Sequence, residues 1–199
     1  MSIKKALGVV TLAALASFSA QAADWYVGAS IGQSDFKEDV SGVASVVSID
    51  KKDTGYKLFL GAGLTPNFAI EGGYANFGKL KASATIGATT YNFGVKGHGY
   101  FVDLVGKLPV SNEFGVFGKV GVFNGRAKTY GISALGVAGG DPSVVDESDS
   151  GTDVKYGLGL SYAINKSVGI RAEWERYRFK AFDGKTDVDL MSVGVTLGF

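Results

Sequence analysis

The chain of 199 residues has no cysteine, one histidine, three prolines and two methionines. Without cysteine there is no disulfide staple, no thiolate metal site and no Cys nucleophile. A single histidine, His98, excludes a His-rich metal centre, and nothing else calls for a cofactor. Neither sign of charge is in excess, with 20 basic against 19 acidic residues. A nucleic-acid-binding domain presents a basic face, so this balance argues against nucleic acid as a partner. After residue 22 no apolar run approaches the ~20 residues of a membrane-spanning helix.

What is present begins with "MSIKKALGVVTLAALASFSAQA". Lys4 and Lys5 form a short basic region, an apolar stretch follows, and Ala20-Gln21-Ala22 supplies small residues at cleavage spacing. This is the pattern of a secretory signal peptide, too short in its apolar core for an anchor. Residues 1–22 are expected to be removed. That leaves 177 of the 199 residues, 23–199, as one domain with 18 basic and 19 acidic side chains.

Side chains of a strand alternate faces with period two. In "FGVFGKVGVF" the even set is Phe114, Val116, Gly118, Val120 and Val122, while Lys119 falls in the odd set. "GYFVDLVGKL" places Tyr100, Val102, Leu104 and Leu108 opposite Asp103 and Lys107. "NFAIEGGYA" sets Phe68, Ile70 and Tyr74 against Glu71, and "GYKLFLGAGL" sets Tyr56, Leu58 and Leu60 against Lys57. "DVKYGLGLSYAI" and "VGIRAEWERY" oppose their apolar sets to Lys155 and to Arg171, Glu173 and Glu175. "DWYVGASIG" and "DLMSVGVTLGF" complete eight strands, each with one apolar face and one of glycine, hydroxyl or charge. A soluble sandwich also alternates, but here the apolar faces carry aromatics towards their ends. Trp25, Phe68, Phe114, Tyr162 and Phe199 would form one girdle, and Tyr56, Tyr74, Tyr100, Tyr156 and Trp174 the other. Two aromatic girdles around an aliphatic band suit a barrel lying across a bilayer.

The opposite face then lines a narrow interior. Lys57, Glu71, Asp103, Lys107, Lys119, Lys155, Arg171, Glu173 and Glu175 are expected there as an ion-pair network, with Phe59, Phe101, Phe117 and Phe123 adding bulk. Short turns around Pro66, Ser111 and Asn165 alternate with longer links at about Lys37–Lys52, Lys81–Lys96, Lys128–Gly151 and Ala181–Thr186. Short turns at the periplasmic end and long loops outside are the habit of outer-membrane barrels. A hairpin centred on Ser111 would place Asp103 opposite Lys119, and one centred on Asn165 would place Lys155 opposite Glu175. The first link, "KEDVSGVASVVSIDKK", has an apolar centre suited to a hairpin extension. The longest link carries Asp141, Asp146, Glu147 and Asp149 and is expected to be a flexible solvated loop, with an adhesive or cation-tolerant surface patch as the alternative.

The "WYVGASIG" opening, the strands "YKLFLGAG" and "YGLGLSYA", "FAIEGGYANFG" and the ending "VGVTLGF" together resemble the small OmpA/OmpX-type outer-membrane β-barrels. The resemblance spans Ala23 to Phe199 and implies an all-β, eight-stranded antiparallel transmembrane up-and-down β-barrel. It implies that Val193, Val195, Leu197 and Phe199 are the face read by the outer-membrane insertion machinery. It implies a monomer in contact with outer-membrane lipid and lipopolysaccharide, with loops free to meet surface ligands. The resemblance is to the barrel alone, with no peptidoglycan-binding domain expected, so cell-wall anchoring is not carried over.

The leading functional expectation is a non-enzymatic structural or surface-interaction protein presenting four outer loops. A small low-conductance pore is the first alternative, although eight strands enclose only enough room for side chains. A barrel enzyme acting on outer-membrane lipid is the second. His98 is its candidate base, yet no serine stands near it on the same face, and acyl transfer needs a positioned nucleophile.

Overall fold

A computed structural model of the chain describes residues 24–37, 47–50, 52–86, 89–133, 143–144, 147–181 and 184–199. The expected signal peptide at 1–22, the apolar centre of the first link before Val47, and Asp141 and Asp146 lie outside these residues. The strands are β1 (Trp25–Lys37), β2 (Val47–Asp50), β3 (Lys52–Thr65), β4 (Phe68–Ile86), β5 (Thr89–Pro109), β6 (Phe114–Ser133), β7 (Ser143–Val144), β8 (Glu147–Ala163), β9 (Val168–Ala181) and β10 (Gly184–Gly198). The eight long strands pair antiparallel in sequence order. β1 then closes on β10 from Tyr26↔Gly198 to Lys37↔Asp187. The result is a closed up-and-down barrel of eight strands. Closure removes every long free edge. β2 pairs with Lys81–Ala84 of β4, and β7 pairs with Ile132 and Ser133 of β6.

The alternation in the sequence becomes the wall of the barrel. Val102, Leu104, Val120, Val122, Leu158, Leu160 and Val193 are all exposed on the outside. Their inward neighbours, among them Phe101, Asp103, Lys119 and Phe123, are buried. Apolar surface running around the whole wall has no place in water and needs a hydrocarbon solvent. On β5 the apolar outward stretch runs from Tyr100 to Leu108. That matches the ~9–11 residues of a tilted membrane strand.

β4, β5 and β6 are 19, 21 and 20 residues long, far more than a bilayer requires. Pairing between β4 and β5 continues to Ile86↔Thr89. The segment expected as a long link at Lys81–Lys96 is therefore mostly hairpin, and β6 and β8 likewise extend into the Lys128–Gly151 link. Runs such as "TTYNFGV" are rich in β-branched and aromatic residues, so the ladder continues beyond the membrane. Within the first link, Val47–Asp50 pairs with β4.

At the opposite end, side-chain caps set the turns. Thr65 Oγ1 accepts from the amides of Asn67 and Phe68 at 3.3 and 3.0 Å. Ser111 Oγ accepts from Glu113 and Phe114, and Asn165 Oδ1 from Ser167 and Val168. These caps move two hairpins one residue beyond the expected centres, so each register slips by two. Asp103 stands opposite Gly121, with Lys119 opposite Val105. Glu175 stands opposite Gly157, with Lys155 opposite Tyr177. The glycine matters at the first of these. A Cβ on Gly121 would lie 2.3 Å from Asp103 Oδ1. At the other end of β4 the register shifts between Asn76 and Lys79, where Gly78 takes φ 72°. That left-handed conformation suits glycine.

Candidate functional site

The parity that faces the lumen collects Lys57 from β3, Glu71 from β4, Asp103 from β5, Lys119 from β6, Lys155 from β8, and Arg171, Glu173 and Glu175 from β9. None is more than 7% exposed. Four cations meet four carboxylates, so the cluster is neutral. An isolated buried charge is costly, and only a network with several partners per ion offsets its desolvation.

Each cation has at least two acidic partners. Lys57 Nζ lies 2.8 Å from Glu173 and bonds Glu175 as well. Lys119 Nζ donates to Glu71 at 2.7 Å and Glu173 at 2.6 Å, with Glu175 at 3.7 Å. Lys155 Nζ bridges Asp103 at 2.5 Å and Glu175 at 2.9 Å. Arg171 Nη1 donates to Glu71 Oε1 at 2.8 Å and Nη2 to Glu173 at 3.2 Å. Arg171 Nε also approaches Glu173 Oε1 to 2.8 Å. It lies off the donor axis there, so that contact is ionic only. Tyr26 donates to Glu71 at 2.8 Å, and Ser30 to Glu173 at 3.4 Å.

Rings fill the space between the charges. Lys155 Nζ lies 4.2 Å from the Phe101 ring and 4.7 Å from Tyr177. Arg171 sits between Phe59 at 4.7 Å and Phe117 at 4.5 Å. Such distances fall within the ~6 Å range of cation–π attraction. Glycines give these rings room: a Cβ on Gly28 would meet Phe59 at 2.2 Å, and one on Gly159 would meet Phe117 at 2.1 Å.

The expected Asp103–Lys119 pair does not form. The slipped register turns Asp103 to Lys155 and Lys119 to Glu71 and Glu173. Lys155 and Glu175 are ion-paired, but diagonally rather than directly opposite. Lys107 shares the lumenal parity without joining the cluster. It lies half-buried near the short-turn end, its Nζ 4.8 Å from the Tyr26 ring, and has no ion pair among the described residues. It lines a cavity of about 340 Å³ together with Ser161 and Thr196, which stops at Glu71 and Arg171.

On the far side of the ions lies an apolar layer, of which only Phe123 was named beforehand as an interior residue. Phe36, Phe77, Phe123, Tyr177, Val188 and Leu190 are all buried. Phe77 packs edge-on against Phe123 and Tyr177 at 5.6 and 4.7 Å. Tyr177 continues the odd parity of Arg171, Glu173 and Glu175, and Phe77 that of Glu71, so the signal was present. Tyr26 and Ser30 likewise follow from the even face of β1.

On the outer wall Tyr74 touches Tyr56 and Tyr100 at 6.3 and 5.4 Å, and Tyr156 touches Trp174 at 6.0 Å. Nearer the turns Phe114 meets Tyr162 at 4.7 Å, and Trp25 and Phe68 are exposed. Val193, Val195 and Leu197 of β10 and Phe199 just after it are all exposed. His98 points outwards too, its ring 6.0 Å from Tyr74.

Residues 6–199 match the family described as outer membrane protein beta-barrel domain. Among solved structures, the chain is similar to Ail, the attachment invasion locus protein of Yersinia pestis, in complex with the heparin analogue sucrose octasulfate. The two share 19% identity over 89% of this chain and 99% of the other, with a TM-score of 0.55. It is similar to Neisserial surface protein A at 16% identity over 88% and 97% of the two chains, TM-score 0.55. OprG from Pseudomonas aeruginosa aligns at 15% identity over 92% and 98%, TM-score 0.51. No curated protein sequence matches the chain.

Proposed function

The chain belongs to the outer-membrane β-barrel domain family, and on that footing we propose that it is a sealed, non-enzymatic scaffold that holds its long hairpins outside the cell. One observation carries this reading. The lumen holds a neutral cluster of eight paired charges, capped on one side by the Phe77–Phe123–Tyr177 layer. A bore so filled offers no through path for solute, and the cavity of about 340 Å³ at the short-turn end stops at Glu71 and Arg171. The length of β4, β5 and β6 supports the display role, because the paired strands run on well past the span a bilayer requires. The acidic positions Glu147 and Asp149 begin β8 in this projecting region. Export would follow cleavage after Ala22, giving a mature protein whose first residue, read by mass spectrometry, is Ala23.

The absence of cysteine makes the orientation testable by single-cysteine labelling. Ala88→Cys, between β4 and β5 in the sequence, should react with a membrane-impermeant maleimide on intact cells. Asn112→Cys, in a short turn, should react only after the outer membrane is broken. Labelling of Asn112→Cys on intact cells, with Ala88→Cys protected, would overturn the proposal.

A further inference from the structure

One cation of the lumenal parity stands outside the neutral cluster. Lys107 is half-buried at the short-turn end and lines the cavity of about 340 Å³ whose floor is Glu71 and Arg171. The fields of two carboxylates, Glu71 and Asp24, reach it, and neither makes an ion pair with it. Glu71 is already held by Lys119, Arg171 and the Tyr26 hydroxyl, and Asp24 is exposed. Lys107 is nonetheless fixed in place. Its Nζ rests 4.8 Å from the Tyr26 ring, and Tyr26 is pinned by its bond to Glu71 at 2.8 Å. A partly desolvated ammonium without a counter-charge gains from any anion that can be brought to it.

The rest of the cavity narrows the choice of anion. Part of its wall is apolar: Val105 and Phe117 are buried there, and Tyr26 packs against them. Hydrogen-bonding capacity is left over at Thr196, whose hydroxyl has no partner among the described residues. Acid is present too, with Glu71 at the floor and Glu113 exposed at the mouth. Both repel a multiply charged anion such as phosphate. One surplus cation, one free hydroxyl and an apolar wall match a single carboxylate on an apolar body. Small-molecule pockets run to ~300–1,000 Å³, so this volume, near the lower limit, suits one ring rather than a long chain.

We propose that this vestibule is a binding site for a small organic monocarboxylate. The carboxylate lies against Lys107 and Thr196, and the apolar body against Val105, Phe117 and Tyr26. The ion cluster beneath is untouched, so the bound ligand leaves the lumen shut. With the long hairpins outside the cell, the site opens to the periplasm. Binding itself does not depend on that orientation.

The test uses the whole mature protein in phosphatidylcholine nanodiscs, titrated with 4-fluorobenzoate and followed by fluorine NMR, with empty nanodiscs as the blank. The wild type should show a saturable signal. Its neutral counterpart, 4-fluorobenzamide, should bind about tenfold more weakly or worse, because a hydrogen bond to a charged group is lost. Lys107→Gln should weaken 4-fluorobenzoate binding by a similar factor, and Lys107→Arg should retain most of it. Thr196→Val should cost a few-fold. Lys166→Gln removes an exposed lysine from a neighbouring short turn and should change little. Inorganic phosphate at equal concentration should not displace the probe. A heat-modifiability gel on each variant reports that the barrel is intact. Equal affinity for the acid and the amide, or a Lys107→Gln variant that binds like wild type, would overturn the proposal. So would displacement by phosphate, because the site would then answer to charge alone. A nanodisc exposes both ends of the barrel, so this result is independent of the labelling experiment: failure there with success here refutes the orientation and not the site.

Discussion

Replacing Lys119 with methionine removes one charge from the middle of the lumen, the ammonium that lies 5.6 and 5.4 Å from the Phe59 and Phe117 rings, while keeping most of the side chain's length. Its ammonium is within 3 Å of both Glu71 and Glu173, and Glu175 is 3.7 Å away. The variant leaves four carboxylates facing three cations in a site that water barely reaches. Breaking a buried pair by removing one partner costs about 3–5 kcal/mol. Arg171 still contacts Glu71 and Glu173, and Lys57 still contacts Glu173, so the loss should lie at the lower end of that range. The assay is a urea titration of refolding into lipid vesicles, followed by tryptophan fluorescence. Adding Glu71→Gln restores neutrality and should recover part of the loss, with a coupling of roughly 0.5–3 kcal/mol between the two sites. Asp103 does not touch Lys119, so the cycle of Lys119→Met with Asp103→Asn should give the smaller coupling. No coupling to Glu71, or a larger coupling to Asp103 than to Glu71, would refute the network as described.

The two faces of the wall should respond differently to substitution. Leu104→Arg puts a charge into the hydrocarbon and should cost ~2–4 kcal/mol in the same titration. Ser192→Ala removes a buried hydroxyl with no partner and should change stability by less than about 0.5 kcal/mol. Equal penalties would contradict the assignment of faces. Gly78→Ala forces a side chain into φ 72° with its Cβ 2.5 Å from Asp53 Oδ2, and should destabilise by about 1 kcal/mol or more. An alanine that refolds as readily as glycine would remove the case for strain at the bulge. His98→Ala should leave the lipid profile of expressing cells unchanged by mass spectrometry. A deacylated or acyl-transfer product that disappears with the histidine would establish an enzyme.

Which way each side chain faces was legible because strand parity survives any slip of two residues. Val102, Asp103, Val120 and Lys119 fall on the expected faces for that reason. Register was not legible by the same logic. Parity cannot separate a hairpin centred on Ser111 from one centred on Asn112. The choice falls to hydrogen bonds that Ser111 Oγ and Asn165 Oδ1 accept from backbone amides two and three residues on. The ion pairs were harder still, because closure brings together strands that hairpin reasoning never compares. Lys57 and Glu173 are 116 residues apart and share no hairpin. Lys107 has the right parity but lies beyond the packed centre, where the wall opens into a cavity. The apolar layer of Phe77, Tyr177 and Leu190 sits where strands run on past the girdle. The links at Lys81–Lys96 and Lys128–Gly151 were expected to be longer than they are because membrane thickness, rather than pairing, set the expected strand length.

The central claim is that the lumen is closed by paired charge and aromatic packing. The most direct measurement is single-channel recording of the purified mature protein in planar bilayers. The account predicts no steady conductance from the wild type, and brief openings after Lys119→Met as water follows the uncompensated charge. A large, steady wild-type conductance would contradict it and make this barrel a pore.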